Sequence, residues 1–123
     1  MAILHVFVDA EGSLESFVKE LEQILEVEFQ PMPAKVPTYI GMNNNTLGWV
    51  GVRYNTLVTE DIPGRNYSDY AFRLFPGTNQ EAQYIQAMDD TYTWLYEKLK
   101  ATNKFPLLVS HDVYGILDRF NPE

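Results

Sequence analysis

Apolar and polar positions change rhythm along the chain, and each change marks an expected element. Residues 3–8, "ILHVFV", form a short and nearly continuous apolar run. Such a run predicts a strand covered on both faces. From Leu14 the rhythm becomes helical: Leu14, Phe17, Val18, Leu21, Ile24 and Leu25 make one apolar stripe, and Ser13 stands where an N-cap belongs. Glu15, Glu20, Glu22 and Glu26 fall off that stripe and are expected to face water.

Residues 31–45 carry Pro31, Pro33, Pro37, Gly41 and an asparagine run. This composition predicts an irregular connection with a short edge strand at 38–42. Alternation returns over 46–58, with Val50, Val52 and Tyr54 on one face and Trp49, Gly51 and Arg53 on the other. The glycine implies that a neighbouring group approaches closely there. Residues 60–69 read as loop around Pro63-Gly64, and "YAFRLF" at 70–75 alternates again. The two alternating segments are expected to pair antiparallel across an unusually long hairpin loop.

"TNQE" at 78–81 has the form of a capping box, with Thr78 as cap and Glu81 reaching back. The helix expected to follow carries Ile85, Met88, Tyr92, Leu95 and Leu99 at steps of three and four. Lys98, Lys100 and Lys104 suit its C-terminal end, Asn103 can stop it, and Pro106 follows. Residues 106–111 predict a buried strand, while 112–120 fit either a helical turn or a last strand. Helices interleaved with mostly antiparallel strands imply one α+β domain over residues 1–123, its two main helices packed on one face of the sheet.

Composition supports a single core: 46% of the 123 residues are hydrophobic and 14% aromatic. There is no cysteine, so disulfides, thiolate nucleophiles and Cys-ligated metals are excluded. The opening "MAILHVFVDAEGS" has no basic leader and reads as a strand, and no run reaches the roughly 20 apolar residues that span a bilayer. A soluble, cytoplasmic protein with no membrane partner is expected.

Charge alters the picture more. The net charge is −8, and residues 1–30 hold seven acids against Lys19 alone, a net of −6. Such a field disfavours direct contact with nucleic acid, which needs clustered Lys and Arg. It favours a basic partner drawn in by electrostatic steering, although acidity also serves plain solubility.

Catalytic patterns are scarce. His5 and His111 sit in or beside apolar strands without HxH or HExxH spacing; a metal pair of His111 and Asp112 would need His5 brought alongside. Ser110, His111 and Asp112 name the members of a triad, but neighbours on a strand point to opposite faces. The sequence contains no GxSxG elbow, phosphate-binding loop or dinucleotide fingerprint. The carboxylate pairs Glu60-Asp61 and Asp89-Asp90 read as solvated acids. A non-catalytic protein without cofactor or metal is expected.

Two stretches then stand out as binding surfaces. The long loop and its exit supply Asp61, Arg65, Tyr67, Asp69 and Tyr70, residue types prominent at interface hot spots. The plainer reading has both tyrosines covering a sheet edge and Arg65 paired with Asp61 or Asp69. The first helix offers Glu15, Glu20, Glu22 and Glu26, with relief at i,i+4 only from Glu15–Lys19. A solvated outer face explains those glutamates as readily as a cationic partner does.

In layout, the "SLESFVKELEQIL" helix, the strand block around "YAFRLF" and the long helix ending before "PLLVSHD" resemble the small immunity proteins of bacterial toxin systems. The resemblance implies a small, acidic, non-catalytic, cytoplasmic inhibitor that neutralises a cognate toxin, often a basic nuclease, by direct binding. Binding residues diverge between such pairs, so the candidates above rest on the local reading. Other classes compete: a small-ligand binder or enzyme with a pocket near His111, Asp112 and Tyr114, or a self-associating structural or phage-type subunit.

Overall fold

The computed structural model describes residues 4–43, 48–55, 70–78, 84–111 and 115–123. Its elements run β1 (Leu4–Val8), α1 (Leu14–Leu25), β2 (Phe29–Met32), β3 (Thr38–Asn43), β4 (Gly48–Tyr54), β5 (Phe72–Thr78), α2 (Tyr84–Thr102), β6 (Leu107–His111) and β7 (Gly115–Phe120). The strands form one sheet in the order β2-β3-β4-β5-β1-β6-β7, and every neighbouring pair is antiparallel. The chain is α+β, as its rhythm predicts.

β1 lies between β5 and β6, which explains its nearly continuous apolar run. Val6 and Val8 face one side and Phe7 the other, and all three are at most 1% exposed. On the first side both helices close over the sheet. Leu14, Phe17, Val18, Leu21 and Leu25 of α1 and Leu95, Tyr96 and Leu99 of α2 share one core with Val6, Val8, Val50, Val52, Phe72, Leu74, Leu107 and Val109. Each such burial contributes about 1.5–3 kcal/mol before entropy is charged against it. Phe17 stacks on Phe72 with centroids 4.4 Å apart and meets the Phe105 ring edge-on at 5.8 Å. On the opposite face Phe7 and Leu108 form a smaller cluster with Tyr70 and Ile116 against it.

The caps of α1 follow from local chemistry. Ser13 is extended and its Oγ accepts from the Ser16 amide at 3.2 Å. The Leu14 amide, a donor that the helix cannot satisfy itself, reaches the Tyr54 hydroxyl at 2.9 Å and so joins the start of α1 to the end of β4. Glu26 ends the helix in the left-handed region, φ 57°. The Glu22 carboxylate then accepts from the Phe29 amide at 2.9 Å and sets the start of β2.

Residues 29–43 depart from expectation. They form a hairpin of two strands, and β3 is interior; the edge is β2, which the prolines conceal. Pro31 is tolerated because an edge strand pairs on one side only. Phe29 lies opposite Gly41, where a Cβ would come within 2.9 Å of its ring. β4 and β5 pair as foreseen, closed at the loop base by Asn55, whose amide donates to the Ala71 carbonyl at 2.9 Å and whose Nδ2 donates to that of Tyr70 at 2.8 Å.

β5 begins two residues later than expected and continues through Pro76 and Gly77 to Thr78. The β1–β5 register runs only from Val6↔Leu74 to Val8↔Phe72, so Pro76 lies beyond it and costs that ladder no donor. Thr78 pairs with Gly48 as the last residue of the strand, and the described helix starts at Tyr84; the expected cap partner Glu81 lies outside the described residues. Asn103 stops α2 with φ 52°. Residues 115–120 are a strand paired with β6, which resolves the ambiguity of the last segment.

Candidate functional site

The four glutamates assigned to the first helix divide among separate tasks. At about 100° per residue, Glu15, Glu22 and Glu26 share one flank of α1, whereas Glu20 lies about 140° around from Glu15. Glu15 is exposed in the first turn, where a negative charge suits the helix dipole. Glu22 is committed to the Phe29 amide and Glu26 to the left-handed cap. Glu20 binds the Lys104 ammonium at 2.8 Å across the gap between α1 and the end of α2. Both side chains of this pair are exposed enough that it adds little stability, about 0–1 kcal/mol.

Glu20 and Lys104 border an open cleft of about 500 Å³ that is also lined by Asp9, Ala10, Glu11 and Phe105. The sequence positions this cleft through β1, whose end carries Asp9 out of the core, and through β6, which brings up the residues just before it. The Asp9 amide donates to the Pro106 carbonyl at 3.1 Å and holds the two connections together. Gly12, with φ 96°, then lets the chain turn from this rim into α1. Three carboxylates around one lysine can receive an incoming ammonium or guanidinium, with Phe105 as an apolar wall.

Tyr70 belongs elsewhere. Its ring tilts against Phe7 at 6.4 Å on the sheet face opposite the helices, so it and the glutamates of α1 do not share a surface. Asp61, Arg65, Tyr67 and Asp69 lie outside the described residues, as do Asp112 and Tyr114. The β1–β6 register sets His5 opposite Ser110 and His111 opposite Leu4, which turns the two histidines to opposite faces. Among the described residues no group of three or more His, Asp or Glu is placed to hold a metal ion.

Two further clusters emerge that helix and strand patterns alone did not reveal. Tyr96, one position off the expected stripe, donates its hydroxyl to Asp118 at 2.9 Å, stacks near Tyr92 at 5.8 Å and carries the Lys100 ammonium 5.0 Å from its ring centre. Burial, followed by the hydrogen bond to Asp118 and its charge, pushes the Tyr96 phenol well above its ordinary range. Tyr92 is raised too, first by burial and then by Asp118 and Glu97. On the opposite face Arg53 and Arg73 stand directly across β4 and β5, with guanidinium carbons 4.9 and 5.9 Å from the Phe75 ring centre. Strand pairing was the missing signal for both.

No protein-family model matches the chain, and no curated protein and no solved structure matches it.

Proposed function

We propose that this chain is a non-catalytic protein-binding inhibitor, of the immunity type, that neutralises a basic bacterial toxin by direct contact in the cytoplasm. The observation that carries the reading is the gathering of Asp9, Glu11 and Glu20 on one open cleft, in the part of the chain whose net charge is −6. A partner lysine or arginine entering that cleft exchanges places with Lys104, gains carboxylate acceptors and packs its stem on Phe105. The wider negative field accelerates encounter, and nucleic acid is repelled by the same field.

The test is binding and protection by co-expression with a basic toxin domain encoded beside this chain. Wild-type protein is expected to form a stoichiometric complex at physiological salt and to rescue growth. Asp9→Asn, Glu11→Gln and Glu20→Gln together are expected to weaken the complex by about threefold to a hundredfold, at about 0.2–1 kcal/mol for each rim charge. The salt dependence should flatten in the same variant. A wild-type protein that neither binds nor protects, or a triple variant that binds equally well, rejects the reading.

A further inference from the structure

We infer that the outer edge of β2 is a latent pairing site for a second copy of this chain, held shut by Glu22 and Pro31. The inference is independent of the acidic cleft and of the function proposed for it. β2 ends the sheet, and among the described residues only β3 pairs with it. In an antiparallel ladder the N–H and C=O of one residue point the same way, and successive residues turn alternately to the neighbour and to the open side. Proline has no N–H and Phe29 gives its own to Glu22, so the ladder to β3 is carried by Gln30 and Met32. Phe29 and Pro31 are therefore the residues whose backbone faces the open side.

That open row has lost its donors. The Phe29 amide is held by the Glu22 carboxylate at 2.9 Å, and position 31 has no amide proton to offer. Two such edges brought together antiparallel about a two-fold axis at Gln30 set Phe29 of each copy against Pro31 of the other. Every bond of that ladder needs the amide of residue 29 or of residue 31, so none forms while Glu22 stays in place. The register otherwise suits a second copy: Gln30 meets Gln30, no like charges stand opposite, and Met32, 50% exposed, gains cover. The far edge carries a related device. The bond from the Asp9 amide to the Pro106 carbonyl fixes the alternation along β6, which turns Leu108 to β1 and leaves Arg119, opposite it on β7, facing outward. The Arg119 amide is bonded to Asp118 Oδ1 at 2.9 Å. A carboxylate thus covers an outward amide at each end of the sheet, where an uncovered edge invites another strand.

The test combines sedimentation velocity over a wide concentration range with amide hydrogen exchange, both on the full chain. Pro31→Thr with Glu22→Ala restores both outward donors and is expected to add a monomer–dimer step that the wild type lacks. The new amide at position 31 should gain protection in the dimer. Pro31→Thr with Glu22→Gln removes the same charge but keeps an acceptor for Phe29, and is expected to associate at least about tenfold more weakly. Circular dichroism of each variant reports whether the sheet is intact. In the wild type the Phe29 amide is expected to exchange at least about tenfold more slowly than an unstructured amide, a reading that needs no variant to fold. A doubly substituted chain that folds and sediments as the wild type does overturns the inference. So does equal association of the alanine and glutamine forms, because charge and not the held amide is then the barrier. Association that leaves the position 31 amide unprotected, or a wild-type Phe29 amide that exchanges freely, overturns it as well.

Discussion

Replacing Gly51 by alanine tests the packing of the sheet's outer face. A Cβ at this position would lie 2.3 Å from Cζ, 2.4 Å from Cε2 and 2.9 Å from Cε1 of Phe75, well inside contact distance. The ring must therefore swing away and give up its edge contact with Trp49 and its place under Arg53 and Arg73. The aromatic pair is worth about 0.5–1.5 kcal/mol. The two cation–π contacts are worth about 0.5 kcal/mol each at a half-exposed site. Against this loss of about 1.5–2.5 kcal/mol stands a gain of about 0.4–1 kcal/mol, because alanine restricts the unfolded chain more than glycine does. Gly51→Ala should then destabilise the protein by about 0.5–2 kcal/mol, read as a lowered midpoint at constant slope in urea unfolding. In a Phe75→Ala background there is no ring to displace, and the same change should become stabilising. That reversal of sign is the sharp outcome. Equal destabilisation in both backgrounds, or a stabilised Gly51→Ala single variant, refutes the account of the glycine as the seat of the Phe75 ring.

Other outcomes follow from the caps and from the tyrosine cluster. Glu26→Gly should raise stability by about 0.5–1 kcal/mol in thermal or urea unfolding, since glycine accepts φ 57° without strain, and Glu26→Val should lower it. Ser13→Ala should cost about 1 kcal/mol through loss of the bond from the Ser16 amide. Tyr96→Phe should cost about 0.5–1.5 kcal/mol, because the exposed Asp118 carboxylate regains water when the hydroxyl is removed. The Tyr96 phenol is raised in the folded state, so its contribution is fully present below the ordinary tyrosine range near pH 10 and is lost as pH climbs towards the folded value. The difference in unfolding free energy between wild type and Tyr96→Phe should accordingly shrink as pH rises above about 10, and a difference that stays constant refutes the assigned protonation state.

Much of the fold was legible where a local pattern and its tertiary setting agree. Ser13, the α1 stripe and the left-handed stop at Asn103 are local signals, and the structure keeps each of them. The alternation around Val50 and Val52 gave the correct faces of β4, and Gly51 correctly signalled a close approach. β2 escaped notice because four residues containing a proline hold too little alternation, and only pairing with β3 makes them a strand. Residues 115–120 fit two periods equally until β6 was there to pair with them. The candidate surfaces were less legible. Counting acids along α1 does not reveal that Glu22 is tied to a backbone amide, or that Glu20 faces Lys104 from 84 positions away. The cleft and the arginine pair both arise from segments distant in sequence, and composition carries no trace of such meetings.

The placing of β1 has a consequence for synthesis. This strand leaves the ribosome before either of its neighbours, yet both of its edges are filled by segments made much later, Phe72–Leu74 on one side and Leu107–His111 on the other. Until those segments emerge, Val6, Phe7 and Val8 have no ladder to join, and nascent chains must carry an open, sticky edge. Truncated or stalled products ending before Leu107 should therefore engage chaperones or aggregate, whereas released full-length chains zip the middle of the sheet last.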